Sequence, residues 1–154
     1  MKKDLISIKD LSRQEIEEIF FLAKDLKKNK EKYLQCLKGK TLALIFQKPS
    51  NRTRVSFAVG IFELGGQSIY LSPEELNLGK RESVKDVAKT LSRYVSAIVL
   101  RTFAHKNVVE LAKYADVPVI NGLSDLSHPC QGLADIFTVK EKFGSLKGLN
   151  LTYV

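Results

Sequence analysis

Three clusters of side chains in this 154-residue sequence have the types and spacing to do chemistry on an anion. The first is Ser50-Asn51-Arg52-Thr53-Arg54, set between an apolar run, residues 41–46, and a helix-like run, residues 55–64. A turn that brings hydroxyls, unpaired backbone N–H groups and two guanidinium groups to a helix start is a pocket for a dianion, because the first helical turn offers free donors and partial positive charge. The implied ligand carries a phosphate. Standing alone, the same turn reads better as a Ser50 or Thr53 cap beside two solvated arginines.

The second cluster is Arg101, which directly follows the apolar run 97–100 and so sits at the inner end of a buried strand, where a charge needs an anionic partner. A local carboxylate would satisfy it equally. The third is His128-Pro129-Cys130-Gln131. Proline suits a first helical turn, so the imidazole lies near a positive helix end, where a neutral ring that donates one hydrogen bond is favoured over imidazolium. Gln131 lies one turn on and both donates and accepts. A lone His–Gln pair is more often structural capping. Cys130 reads as a small packing residue rather than a nucleophile.

Positioning these clusters falls to an alternation of short apolar and amphipathic runs. A helix opens on the capping box Ser12-Arg13-Gln14-Glu15, with Ile16, Ile19, Phe20, Ala23 and Leu26 on its apolar face. Strands are expected at residues 42–46, 68–71, 97–100 and 118–120, and helices at 53–64, 83–93, 107–115 and 129–142. The pattern predicts an α/β fold, a parallel sheet flanked by helices. Ligands of such sheets collect beyond the carboxyl ends of the strands, so all three clusters are expected in one crevice.

A further apolar run, residues 149–154, has strand character and no polar exit. It is expected to be the first strand of a truncated second α/β domain, with residues 1–143 as the first domain and residues 144–154 as hinge and entry.

Hydrophobic residues make up 44% of the chain, enough for one domain with a real core, burying roughly 70% of its unfolded surface. The 25 Lys and Arg against 17 Asp and Glu give a net charge of +8, which favours acidic ligands without choosing among them. Much of the excess lies in residues 24–32 and reads as a solvated helix end. Cys36 and Cys130 lack any paired spacing, so neither a disulfide framework nor a zinc site is indicated, and a reducing cytoplasm fits. Neither a signal peptide nor an apolar run of membrane-spanning length is present, so no membrane partner is expected.

The three clusters together resemble a known family. Ser50-Asn51-Arg52-Thr53-Arg54 is similar to the Ser-Thr-Arg-Thr-Arg phosphate motif of aspartate and ornithine carbamoyltransferases. His128-Pro129-Cys130-Gln131 resembles their second signature, and Gly79-Lys80-Arg81-Glu82-Ser83-Val84-Lys85-Asp86 the loop and helix between. Arg101-Thr102-Phe103, Asn121-Gly122-Leu123-Ser124-Asp125 and Cys130 are closer to the ornithine branch. Two departures are Asn51, where the motif has Thr, and Asn77, where many ornithine enzymes have Gln.

The resemblance implies a carbamoyl phosphate-binding domain and transfer of a carbamoyl group to the side-chain amine of ornithine. It places Ser50, Asn51, Arg52 and Thr53 on the phosphate, and Arg101 between phosphate and carbonyl oxygen. His128 and Gln131 fall around the carbamoyl group as catalytic residues with Arg101, with Pro129 and Cys130 in the same signature. Asn77 falls in a loop reaching a neighbouring subunit of a homotrimer. The substrate amine attacks, so no metal or organic cofactor is implied, and L-ornithine is expected to bind through a second domain. Two other readings stay open: another carbamoyltransferase, for aspartate, putrescine or an acylated ornithine, and a non-catalytic phosphate- or nucleic-acid-binding module. Against a nucleic-acid partner, Phe20, Phe46, Phe57, Phe62 and Phe137 fall inside apolar patterns and do not interleave with a basic stripe.

Overall fold

The computed structural model of the chain describes residues 3–76 and 82–152. Within them, β1 (Thr41–Phe46), β2 (Gln67–Leu71), β3 (Ala97–Arg101) and β4 (Val119–Leu123) form a parallel sheet in the order β2-β1-β3-β4. The helices are α1 (Arg13–Lys28), α2 (Asn51–Glu63), the short α3 (Pro73–Leu76), α4 (Val84–Leu91), α5 (His105–Tyr114) and α6 (Pro129–Phe143). The α/β alternation is therefore the predicted one.

β1 and β3 are covered on both faces, which is why they read as unbroken apolar runs rather than alternating ones. Side chains of successive residues point to opposite faces. Ala43, Ile45, Ile98 and Leu100 accordingly enter one core with Val87 and Ala88 of α4 and Val108 and Leu111 of α5. Leu42, Leu44, Phe46 and Val99 enter the other, packed on Ile61 and Phe57 of α2. Truncating a side chain such as the fully buried Leu100 to Ala would cost about 2–5 kcal/mol.

The strand order reverses between β1 and β3: the chain leaves β1 through α2 toward β2, then crosses back to β3. The crevice at this switch point is where the carboxyl ends of β1 and β3 deliver their loops. Gly65, between α2 and β2, has φ +86, and a Cβ there would stand 2.5 Å from the Leu34 carbonyl oxygen, so this turn needs glycine.

The free edge of β4 is paired by the N-terminal segment. Leu5 N–H donates to the Val119 carbonyl at 2.9 Å, and Asn121 N–H donates to the Leu5 carbonyl at 2.8 Å. The Ser12–Glu15 capping box forms as expected, and α1 buries Phe20 against Phe137 of α6, ring centroids 5.4 Å apart. The lysines of residues 24–32 are exposed, but not free of partners: Lys27 pairs with Glu141 at 2.7 Å and Lys32 with Asp25 at 3.0 Å. Exposed pairs of this kind contribute about 0–1 kcal/mol each.

Two expectations need correction. β4 runs on through Asn121, Gly122 and Leu123, which the sequence presents as the start of a loop. α5 starts at His105 and α2 at Asn51, each two residues before its expected start. The described part of the tail, residues 149–152, forms no strand, and Leu149 and Leu151 are exposed. α6 ends at Phe143, and its C-cap Gly144 has φ +75, a conformation that suits glycine.

Candidate functional site

The three clusters line one cavity of about 560 Å³. Ser50, Arg52, Thr53, Ser56 and Phe57 come from the start of α2, Arg101 from β3, Leu123 from β4, and His128, Cys130, Gln131 and Ala134 from the start of α6. Among the described residues no carboxylate lines it.

Ser50 is the N-cap of α2, its hydroxyl accepting from Thr53 N–H at 3.4 Å. Capping satisfies one donor of the first turn, leaving the amides of Asn51 and Arg52 without a capping partner. Asn51 and Arg52 are exposed. Asn51 lies along the outer face of α2, not on the cavity lining, although Arg52 touches both. Arg54 is not part of the cavity: its guanidinium stacks over Tyr70 of β2, 4.9 Å from the ring centroid. The dianion turn thus has one guanidinium, not two.

Arg101 reaches the cavity through a β-bulge. The β3–β4 register slips between Leu100, opposite Asn121, and Arg101, opposite Leu123, leaving Gly122 as the extra residue. A bulge bends the strand and re-aims its side chains. A Cβ on Gly122 would press to 2.9 Å from Val99 Cγ1, and Leu123 pays with φ +144, rare for a residue with a side chain. Arg101 Nη1 donates to Thr53 Oγ1 at 3.3 Å, tying the end of β3 to the first turn of α2. Its Nε is buried without a hydrogen-bond partner, and no salt bridge to Arg101 exists among the described residues. Burial lowers its pKa from the ordinary value. The local carboxylate that would explain Arg101 structurally is absent among the described residues.

His128 is the N-cap residue of α6, with Pro129 buried behind it at the first helical position. Its side chain makes no capping bond, and Nδ1 is buried with no hydrogen-bond partner among the described residues. Burial holds its pKa below the ordinary value, Arg101 lowers it further, and Asp135 opposes both. The neutral ring expected from the sequence follows, but from burial first and the neighbouring guanidinium second, rather than from the helix end alone.

Cys130 is partly buried, its thiol 3.8 Å from the Asn121 carbonyl oxygen and pushed up to about 11 by burial, so it is a packing group and not a thiolate. Gln131 donates from Nε2 to Asp135 Oδ1 at 2.8 Å. Asn77 lies outside the described residues, as do 78–81 of the loop that precedes α4.

Several residues of the site carried no signal of their own in the sequence. Ser56 and Phe57 stand three and four residues beyond Thr53, and Ala134 and Asp135 three and four beyond Gln131; helical periodicity could have found them. Asn121 enters the sequence reading only through the resemblance of residues 121–125 to the ornithine branch, and no helical periodicity marks its role. Fully buried, it donates from Nδ2 to the Ile6 carbonyl at 3.0 Å and to the Ser127 carbonyl at 3.3 Å, and accepts from Leu123 N–H at 3.0 Å. It ties the N-terminal segment to the loop that delivers His128. Among the described residues no group of three or more His, Cys, Asp or Glu side chains is placed to hold a metal ion, and no helix is long and apolar enough to cross a membrane.

In sum the cavity offers hydroxyls, one exposed guanidinium, one half-buried guanidinium and a neutral imidazole around a helix N-terminus. This donor set fits a small dianion joined to a polarisable carbonyl.

Comparison with known proteins agrees. Residues 3–141 match the family described as aspartate/ornithine carbamoyltransferase, carbamoyl-P binding domain. Ornithine carbamoyltransferase of Bacillus subtilis (strain 168) is 53% identical over 152 residues, covering 99% of this chain and 47% of the relative. Among solved structures, ornithine carbamoyltransferase from Pyrococcus furiosus superposes with a TM-score of 0.91 at 52% identity, covering 96% of this chain and 48% of that one. The enzyme of the same name from Thermus thermophilus gives 0.89 at 47% identity, covering 97% and 52%. The chain spans about half the length of the curated relatives it matches. It belongs to the aspartate/ornithine carbamoyltransferase family, in the part of it that forms the carbamoyl-P binding domain.

Proposed function

We propose that this chain forms the carbamoyl phosphate site of an ornithine carbamoyltransferase, which moves the carbamoyl group of carbamoyl phosphate to the side-chain amine of L-ornithine, giving L-citrulline and phosphate. The single observation that carries the reading is a pair of buried nitrogens, Arg101 Nε and His128 Nδ1, which have no hydrogen-bond partner among the described residues, beside a capped helix start in a cavity that no described carboxylate lines. Such groups are costly unless a ligand meets them.

On this reading the phosphate sits at the start of α2, against the free amides of Asn51 and Arg52, the Ser50 and Thr53 hydroxyls and the Arg52 guanidinium. Arg101, fixed to Thr53, lies between the phosphate and the carbonyl oxygen. The attacking amine makes the carbamoyl carbon tetrahedral and puts negative charge on that oxygen. Donors from Arg101 and neutral His128, already desolvated, stabilise it, each worth ~3 kcal/mol by analogy with oxyanion holes. As the carbon–oxygen bond to phosphate breaks, Arg52 and the helix start accept the growing charge. No side chain has to act as nucleophile.

The same reading assigns ornithine binding to a second domain, corresponding to the half of the relatives' length that this chain does not match, entered through residues 144–154. It makes the enzyme a cytoplasmic homotrimer of arginine metabolism, with Asn77 in a loop reaching a neighbouring subunit's site. Support for these finer points is the family likeness of the motifs.

The test is titration of the chain with carbamoyl phosphate and with inorganic phosphate, followed by NMR or calorimetry, for the parent and Arg52→Ala. The parent should bind both and the variant should lose both. Equal binding by the two proteins would remove the phosphate site from the start of α2. Citrulline formation by the intact enzyme, with ornithine, aspartate and putrescine as competing acceptors, checks the acceptor.

A further inference from the structure

Gln131 and Asp135 stand one turn apart on α6, and the Gln131 amide nitrogen donates to Asp135 Oδ1 at 2.8 Å. Gln131 lines the cavity and Asp135 does not. A carboxylate only accepts hydrogen bonds, so it must face the NH2 end of the amide. The Gln131 carbonyl oxygen is then the end left over, and it has no hydrogen-bond partner among the described residues. The rest of the lining is rich in donors: Arg52, Arg101, His128 and the hydroxyls of Ser50, Thr53 and Ser56. An amide held with its oxygen toward such a cavity is an acceptor in a field of donors, suited to a ligand that presents N–H groups at the end away from its phosphate.

The geometry points to Asp135 as a positioning residue that locks the Gln131 amide with its oxygen toward the cavity, so that the site selects an acyl phosphate bearing an amino group over one bearing a methyl group. This deepens the carbamoyl phosphate reading and rests on it. Carbamoyl phosphate and acetyl phosphate have nearly the same shape and charge, and differ in NH2 against CH3. An unlocked Gln131 presents NH2 to the ligand as readily as oxygen, and two facing amino groups do not bond. Without Asp135 the site should still hold phosphate but should stop telling the two acyl phosphates apart.

Asp135 also acts through its charge on His128, so the test has to separate the two routes. The chain is titrated with carbamoyl phosphate, acetyl phosphate and inorganic phosphate as parent, Asp135→Leu, Asp135→Glu, Gln131→Leu and the Asp135→Leu/Gln131→Leu double variant. Asp135 is exposed on a helix, so these changes leave the core intact. The parent should prefer carbamoyl over acetyl phosphate by ~10-fold, about one hydrogen bond's worth. Asp135→Leu should cut that preference to ~3-fold or less with phosphate affinity within ~2-fold of the parent, and Asp135→Glu should keep it. The double variant should match Gln131→Leu, because a positioning residue has no effect once the group it positions is gone.

An unchanged preference in Asp135→Leu, an equal loss for inorganic phosphate, or additive effects in the double variant would each overturn the assignment while leaving the phosphate site standing. If the parent binds none of the three anions, the carbamoyl phosphate reading falls first and this inference with it.

Discussion

The two walls of the cavity meet water differently. On one side Arg52 stands exposed on the first turn of α2, beside the Ser50 cap. On the other side Arg101 and His128 are half-buried, each with a nitrogen sealed from solvent and unpartnered among the described residues, and burial displaces the pKa of both. On the proposed reading the exposed wall has only to capture a dianion, a task suited to a helix start and one guanidinium. The buried wall carries polar groups at a standing cost, and such a cost is retained where donors must be in place before charge develops. On the proposed reading, binding belongs mainly to the first wall and rate to the second.

The largest effect should come from breaking the buried wall at Arg101. In the intact enzyme Arg101→Met should lower kcat/KM by ~10³-fold or more, since one side chain serves both phosphate and carbonyl oxygen. Thermal stability should hold or rise, because the variant removes a desolvated charge that has no counter-ion among the described residues. A collapse of Tm with the activity would make Arg101 a structural residue. The next contrast sets the walls against each other. His128→Ala should lower kcat by ~10²-fold with a modest change in KM for carbamoyl phosphate, whereas Arg52→Ala should weaken affinity severely as well as slow turnover. Steady-state kinetics on both variants decide it; matching kcat and KM patterns would erase the distinction.

A smaller effect belongs to the exposed wall. Ser50→Ala removes the cap of α2 and should cost about 1 kcal/mol in unfolding free energy, with phosphate affinity down several-fold. Chemical denaturation and phosphate titration measure the two losses separately. Restoration of both by Ser50→Asp would show that Ser50 only caps, since a carboxylate there repels the ligand it is meant to admit.

The exposed wall was legible in the sequence and the buried wall only partly so, for physical reasons. Ser50 to Thr53 announces itself locally, because capping and helix-end chemistry act within one turn. The strands β1 and β3 are equally plain, since a strand buried on both faces leaves an unbroken apolar run. β4 is hidden by its own bulge: Asn121-Gly122 looks like a turn, while in the fold Gly122 is the residue that slips the register and aims Arg101. Arg54 looks like a second phosphate ligand until Tyr70, sixteen residues away on another element, takes its guanidinium. His128 was readable as neutral, but the leading cause, burial against its surroundings, depends on packing that no local pattern encodes.

The smallest prediction tests that cause directly. The chain has two histidines, His105 and His128, so the NMR titration curve missing from His128→Ala identifies the second. Its midpoint should lie below the ordinary value of 6.5, because burial and Arg101 disfavour the charged ring more than Asp135 favours it. The folded chain then binds this proton less tightly than the unfolded chain. His128 therefore subtracts stability as pH falls through 6.5, the loss is complete below the folded midpoint, and it is absent above 6.5. His128→Ala lacks this penalty, so the Tm difference between parent and variant should shift in the variant's favour from pH 7.5 to pH 5. Adding inorganic phosphate should raise the midpoint again, by placing negative charge between Arg101 and the ring. A midpoint at or above 6.5 in the free chain would mean that Asp135 dominates, and the buried wall would lose the neutral donor on which its catalytic part depends.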